Sequence, residues 1–191
     1  MNQNQNRTDY RQMEDNELIP LCIAGNAGAF EAVYHRYRTR LYSVACRMHG
    51  NPGDAEDSLQ DAFVSAFQNL HRFDYRSRLS TWLYRVLVNA CMTRIRRTDR
   101  LERVDDLDEY PHPQNETDSD AALAGMLEQA IAQLPFMQRA VFVLHATNGL
   151  THDEIAEILH IRPGTSKSAY SRARSTLREE LVRKGITSSG A

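Results

Sequence analysis

Thr151-His152-Asp153-Glu154-Ile155-Ala156-Glu157-Ile158-Leu159, followed by His160-Ile161-Arg162-Pro163-Gly164-Thr165-Ser166-Lys167-Ser168, decides how this chain folds. Thr151 and Glu154 stand three apart, ahead of an apolar stripe. That is a capping box: the Thr hydroxyl and the Glu carboxylate each satisfy an orphan backbone N–H at a helix start. It also accounts for the His-Asp-Glu cluster without acid–base chemistry. Ile155, Ala156 and Leu159 fall on one face of this helix, and His160 to Gly164 turns the chain. A second helix is predicted from Pro163 or Thr165 to Leu181, with Ser166, Tyr170, Ala173, Leu177 and Leu181 inward. Its outer face carries Lys167, Ser168, Ser171, Arg172 and Arg174. The pattern is a helix-turn-helix whose second helix is placed for a DNA groove. Basic and hydroxyl side chains there suit phosphate and base-edge contacts. A helical hairpin with a merely solvated basic face fits the same residues.

Upstream the signals are also helical. Apolar residues recur at Phe30, Val33, Tyr34, Tyr37, Leu41, Val44, Ala45 and Met48, steps that give a helix one buried stripe. His49-Gly50-Asn51-Pro52-Gly53 is a break, after which Asp54 can cap the next helix. That helix turns Ala55, Leu59, Ala62, Phe63, Ala66, Phe67 and Leu70 inward, and Glu56, Asp57, Gln60, Asp61 and Ser65 outward. Phe73 to Arg78 reads as a loop. Ser80 then caps a helix to about Arg97, with Trp82, Leu83, Val86, Leu87 and Ala90 inward. Shorter helices are expected from Ala121 to Leu134 and from Met137 to Ala146. No strand alternation of convincing length occurs, so the fold class is all-α, in two small domains.

Charge divides the chain the same way. The whole has 191 residues and a formal net charge of −2. Residues 1–100 carry net +3, residues 101–132 net −8, and residues 133–191 net +3. Two mildly basic blocks therefore flank an acidic segment, an asymmetry more informative than the total. Residues 101–122 hold Pro111, Pro113, Asn115 and eight acidic residues, the composition of a flexible linker. The expected organisation is a polar tail at 1–17, a first domain at 18–100, a linker at 101–124, a second domain at 125–185 and a short tail at 186–191.

Phe73 to Arg97 forms a second candidate site. Arg76, Arg78, Arg85, Arg94, Arg96 and Arg97 are interleaved with Phe73, Tyr75, Trp82 and Tyr84. Arg85, Asn89 and Arg96 share a helical face at spacings of four and seven. Cations that track a backbone, with rings on which bases stack, are what single-stranded nucleic acid requires. Trp82 also fits a plain core role. The acidic face at Glu56, Asp57, Gln60 and Asp61 is either a solvated surface or a protein-docking one.

Several function classes are excluded. There is no G-x-S-x-G, no H-E-x-x-H and no Gly-rich phosphate loop. Cys46 and His49 lie three apart on a helix, but two ligands do not make a zinc site. We therefore expect no catalytic residue, no metal and no cofactor. Cys22, Cys46 and Cys91 lack C-x-x-C spacing, so a reduced setting with free buried thiols is expected. No apolar stretch approaches the ~20 residues needed to span a membrane.

These residues, taken together, resemble bacterial extracytoplasmic-function sigma factors. The resemblance is carried by Ala29-Phe30-Glu31-Ala32-Val33-Tyr34 with Arg38-Thr39-Arg40-Leu41-Tyr42, by Asp54 through Phe63, and by Leu79-Ser80-Thr81-Trp82-Leu83-Tyr84-Arg85-Val86. It continues in Leu134-Pro135, Leu150 through Ala156, Gly164 through Ser168, and Ser171-Arg172-Ala173-Arg174. It covers about residues 18–100 and 125–182 in the family's order. It implies a first domain, sigma domain two, that docks through Asp57, Gln60 and Asp61 on the clamp helices of the polymerase largest subunit. The same domain would melt the minus-ten promoter element and hold a flipped base with Ser77, Arg78, Trp82, Arg85 and Asn89, aided by Arg96 and Arg97. Flipping costs a few kcal/mol that a snug pocket must offset. The second domain, sigma domain four, would read the minus-thirty-five element with Lys167, Ser168, Ser171, Arg172 and Arg174 and dock on the polymerase flap. An anti-sigma partner, a cytoplasmic location and sequestration at the inner membrane face by that partner are also implied. The chain departs from the family where Ser166 and Tyr170 replace inner aliphatics, where Ala169 replaces a frequent Arg, and where Phe73 to Arg78 lacks glycine.

As a relaxed coil, residues 101–124 span roughly 27 Å. The two promoter elements lie more than one duplex turn apart, beyond ~34 Å. A partner must therefore hold the linker extended. Its acidic charge would suit a basic channel otherwise filled by nascent RNA. A stand-alone helix-turn-helix regulator and an all-α interaction protein are the other classes that the residues leave open.

Overall fold

The computed structural model describes residues 9–102 and 119–184, all helix, turn or loop, with no strand among the described residues. Residues 103–118 of the expected linker, 1–8 of the expected N-terminal tail and the whole expected C-terminal tail lie outside the described residues, and residues 15–17, expected in the tail, belong instead to the first helix.

The first domain is four helices. α1 (Asp15–Ile23) and α2 (Ala27–His49) are joined at Asn26, whose side chain accepts the Ala29 N–H at 3.0 Å. Arg36 and Tyr37 of α2 both bind Asp15, pinning the first turn of α1. α3 (Pro52–Asn69) starts three residues earlier than Asp54 capping requires. The cap is Asn51, which accepts the Asp54 N–H at 2.8 Å. Pro52 at the first helical position makes this the better start, because its fixed φ suits the helix and its missing N–H leaves no orphan. A 3-10 turn at Leu70–Arg72 leads into the loop 73–78, and α4 (Leu79–Glu102) follows. α4 begins at Leu79 and runs past Arg97.

The buried stripes are those the periodicity predicts: Val33, Leu41, Val44, Ala45 and Met48 on α2, Ala55, Leu59, Ala62, Phe63 and Ala66 on α3, and Trp82, Leu83 and Leu87 on α4. Phe67 is the exception. It stacks on Phe30 at the surface and remains exposed. Ser58 is fully buried on α3, and His49 satisfies it through an Nε2···Oγ contact of 2.8 Å.

The second domain comprises α5 (Ser119–Gln133), α6 (Phe136–Phe142), α7 (His152–Leu159) and α8 (Pro163–Arg183). α6 does not continue as an α-helix to Ala146. It loosens into a π turn at Val143–Thr147. Such turns insert one residue per cycle and re-aim the side chains beyond them. Here Thr147 and Asn148 both donate to the Val143 carbonyl, which directs Asn148 back toward the first domain. The buried apolar residues of the two domains form one continuous cluster.

Candidate nucleic-acid interface

The helix-turn-helix is built as its sequence dictates. Thr151 Oγ1 accepts the Glu154 N–H, and Glu154 accepts the Thr151 N–H at 2.9 Å. His160 ends α7 in the left-handed conformation, at φ 53°. Ile155 and Ala156 are buried and Leu159 is half-buried, as expected, and the buried face of α7 extends to Ile158 as well. Lys167, Ser168, Ser171, Arg172 and Arg174 on α8 are all exposed, opposite Ser166, Ala169, Ala173 and Leu177, which are buried.

Arg174 stands apart from the other four. Its guanidinium lies 5.9 Å from the Tyr170 ring centre, and it lines a groove between α5 and α8 with Leu127, Phe142 and Leu181. Ser171 lines the rim of the same groove. Lys167, Ser168 and Arg172 remain on the open face.

Ser166 and Tyr170 belong to a polar core within the motif. His152 Nδ1 lies 2.9 Å from Ser166 Oγ, and Ser166 is fully buried. The His145 and His152 rings stack at 4.4 Å, with Tyr170 edge-on to both. His145 Nδ1 meets the Leu150 carbonyl at 2.7 Å. A buried hydroxyl must find a partner; the His at the start of α7 supplies it, so Ser166 fits where an aliphatic would otherwise pack. Burial, the neighbouring His145 and Lys167 all push the His152 pKa down, against a smaller opposing effect of Asp153.

In the first domain, Arg78, Asn89, Arg96 and Arg97 are exposed, while Ser77 and Arg85 are half-buried. Asn89 and Arg97 line a groove of about 530 Å³ between α3 and α4, together with Asp61, Ser65 and Arg94. Trp82 offers no open face. It is 6% exposed and packs edge-on against Phe73, with ring centres 5.9 Å apart. It can wall a base pocket but not serve as a stacking platform. The aromatic ring that the loop does present is Tyr75, 50% exposed and 5.0 Å from Phe73. Tyr75 adopts φ 59°, a conformation that favours glycine and whose occupation by a bulky residue marks local strain. The sequence offered Tyr75 only as one of four interleaved rings; its exposure sets it apart.

Arg94 also leaves the basic group. It turns toward α3, with Nη1 3.0 Å from Asp57 and 3.4 Å from Asp54, and Nη2 3.7 Å from Asp61. Its buried Nε meets no acceptor among the described residues. Asp57, Gln60 and Asp61 themselves are exposed on one face of α3.

The described residues contain no group of three or more His, Cys, Asp or Glu that could hold a metal, and no helix long and apolar enough to cross a membrane. His49, beside Cys46 in sequence, spends its Nε2 on Ser58.

Comparison with known proteins agrees with this division. Residues 33–101 match the Sigma-70 region 2 family and residues 124–177 the Sigma-70, region 4 family. The ECF RNA polymerase sigma factor SigM of Mycobacterium tuberculosis is 33% identical over 166 residues, covering 87% of this chain and 84% of SigM. SigW of Bacillus subtilis, an ECF RNA polymerase sigma factor, is 33% identical over 171 residues, covering 82% of this chain and 91% of SigW. The sigma factor RpoE of Bartonella quintana, solved in complex with the anti-sigma factor NepR, superposes with a TM-score of 0.68 at 26% identity, over 80% of this chain and 96% of that one. CnrH, solved with the cytosolic domain of CnrY, gives 0.66 at 26% identity, over 88% and 97%.

Proposed function

Given that this chain belongs to the extracytoplasmic-function sigma factors of the sigma-70 family, we propose that its two domains divide one promoter between them. The protein directs core RNA polymerase to specific promoters for transcription initiation, under the control of an anti-sigma factor. Its partners are core polymerase, promoter DNA and that anti-sigma factor. The chain regulates transcription, and bond formation in RNA stays with the polymerase.

The division of labour is as follows. Residues 18–100 form sigma domain two. Asp57, Gln60 and Asp61 dock on the clamp helices of the polymerase largest subunit. Ser77, Arg78, Arg85, Asn89, Arg96 and Arg97 receive the melted minus-ten strand, with Trp82 as an inner wall and Tyr75 as the stacking ring. Residues 125–185 form sigma domain four. Lys167, Ser168, Ser171 and Arg172 read the minus-thirty-five duplex, Arg174 flanks them on its Tyr170 ring, and the domain docks on the polymerase flap. The acidic segment between the end of α4 and the start of α5 suits a basic channel of the polymerase. The protein works in the cytoplasm, and its anti-sigma factor sequesters it at the inner membrane face.

One observation carries this reading: a capped helix-turn-helix with an open basic face follows, in one chain, a four-helix domain whose α3 shows an acidic face and whose α4 shows a basic one. Transcription in vitro with purified core polymerase tests it. Promoter-specific starts that depend on this chain are the expected result. DNA binding of equal affinity without polymerase would instead favour a stand-alone regulator, a reading that nothing in the structure favours. Association with neither would leave an interaction protein.

A further inference from the structure

We infer that His152 and His145 together position the reading half of α8, and that the charge on this pair sets how sharply the helix tells one upstream sequence from another. That α8 enters the upstream duplex rests on the sigma-factor reading. Between Thr165 and Arg174 the residues turned inward are Ser166, Ala169, Tyr170 and Ala173. Two of these are alanines, and the first large aliphatic on the inner face is Leu177. Apolar packing therefore does little to fix this half of the helix, because burial stabilises in proportion to the area removed from water. What holds it is Ser166, bound to His152, and Tyr170, which is edge-on to both imidazoles and stacked 5.9 Å from Phe142. These inward side chains alternate with Lys167, Ser168, Ser171 and Arg172 along the same turns. A shift at the joint moves the reading side chains with it.

The joint suits an uncharged pair or a single proton. The Leu150 carbonyl only accepts, so His145 Nδ1 carries a hydrogen and an added proton goes to Nε2. The Ser166 hydroxyl can donate or accept, so its bond tolerates either state of His152. Two protons are another matter. The rings stack at 4.4 Å, and like charges that close oppose each other. α7 packs on α8, α4 and the π turn. From α8 come Lys167 and, across the Tyr170 ring, Arg174. From the π turn comes His145, and from α4 the Tyr84 hydroxyl, already bound to Asn148. Asp153 on α7 opposes these cations, while Glu154 is spent on the Thr151 cap. His152 is also the first residue of α7, where the helix dipole disfavours a positive charge.

Protonation of both rings therefore drives them apart. His152 then leaves Ser166, whose buried hydroxyl loses its partner, and Tyr170 loses its seat. Base contacts need a fixed pose, whereas phosphates are met along the whole backbone. The added positive charge even favours DNA in general. Acidification should therefore lower discrimination between sequences more than it lowers total affinity.

The test uses the full chain assembled with core polymerase and given duplexes with randomised upstream positions. The sequence selected at pH 7.5 and a scrambled one are then titrated at pH 7.5 and 5.5. The affinity ratio between them should fall about tenfold at the lower pH, the size of one lost base contact. His152→Gln keeps an amide that can bond Ser166 and takes up no proton, so its ratio should stay within about twofold over the same range. Both chains share the polymerase, whose own pH response cancels in the comparison. A wild-type ratio that stays flat, or one that falls equally in His152→Gln, overturns the proposal. If His152→Gln fails to discriminate even at pH 7.5, His145→Gln decides. That variant can still donate to the Leu150 carbonyl and leaves at most one charge in the stack, so its profile should be flat. A fall parallel to the wild-type one, or no discrimination at pH 7.5, overturns the proposal. Wild-type holoenzyme that selects no upstream sequence at pH 7.5 would instead sink the sigma-factor reading, and the joint's role with it.

Discussion

Arg94 on α4 holds the Asp57 carboxylate on α3 at 3.0 Å, and with it restrains the acidic face proposed for polymerase docking. Asp54 and Asp61 share the same guanidinium. An isolated pair this exposed contributes little, ~0–1 kcal/mol, but three carboxylates around one cation form a network. Arg94→Met keeps the aliphatic stem and removes the charge, so we expect a stability loss of about 1 kcal/mol in denaturant unfolding. Asp57→Asn made on top of it should cost less than Asp57→Asn alone, the signature of direct coupling. Strict additivity would mean that the contact carries no energy.

Exposure separates two aromatic residues that the sequence grouped together. Trp82→Ala should cost about 3–5 kcal/mol of stability, as deletion of a buried ring does. Tyr75→Ala should leave the fold intact, relieve the positive-φ position no further than any L residue can, and impair promoter melting. Asn89→Ala should impair melting as well, while duplex binding by the helix-turn-helix persists. Permanganate footprinting of the opened strand measures both effects. Normal melting in Tyr75→Ala would remove that ring from the pocket.

Arg172 and Arg174 differ by two positions and by orientation. Arg172 is exposed on the open face of α8, whereas Arg174 rests on Tyr170. Arg172→Ala should cost ~1–3 kcal/mol on the cognate upstream element and less on mismatched sequence. Arg174→Ala should cost less and act evenly on all sequences. Titration of labelled duplexes by the polymerase-bound chain tells them apart; an even loss for Arg172→Ala would reduce it to a phosphate contact.

What the sequence made legible follows from how local each signal is. The capping box at Thr151 and Glu154 lies within four residues, and the stripes of α2 and α3 within a few turns, so both could be read directly. The α3 start was misplaced because Asp54 and Asn51 are both good caps, and only Pro52 arbitrates. The π turn at 143–147 has no periodic signature, since its apolar residues also suit an α-helix. Arg94 looked like one more cation of a basic helix until its position set it against Asp57. Tyr84 and Asn148 are 64 residues apart, and no local pattern announces their hydrogen bond. Ser166 looked like a departure from type, yet its partner His152 stands only fourteen positions away. Local chemistry was readable, and contacts that required the tertiary fold were not.

Acidification should loosen the chain before its carboxylates titrate. Burial pushes His49 down, with Arg94 and Arg139 adding to the effect and Asp54 opposing it. His152 is lowered likewise by burial, His145 and Lys167. The ordinary histidine value is ~6.5. Each folded-state pKa lies below it, so the unfolded chain takes up protons first as pH falls. Stability is therefore complete above about pH 6.5 and declines below it. Urea midpoints at pH 7.5 and 5.5 should show the drop, and His152→Gln, which can still bond Ser166, should reduce it. A midpoint that is flat over this range would mean that the two imidazoles titrate as in water.

The three thiols should differ sharply in reactivity. The nucleophile is the thiolate, so a buried thiol with a raised pKa is inert. Burial pushes Cys91 up to about 12, against smaller opposing effects of Ser58 and Arg94, and raises Cys22 as well. Both are buried, whereas Cys46 is half-buried and lines a crevice of about 510 Å³ between the domains, beside Tyr42, Arg47 and Glu128. Native protein treated with N-ethylmaleimide at pH 8 should take one label, at Cys46, and unfolded protein three. Cys46→Ser should take none while folded. A second label on Cys91 at the same rate would show instead that α3 and α4 separate locally, and that the first domain is looser than its buried Ser58–His49 contact implies.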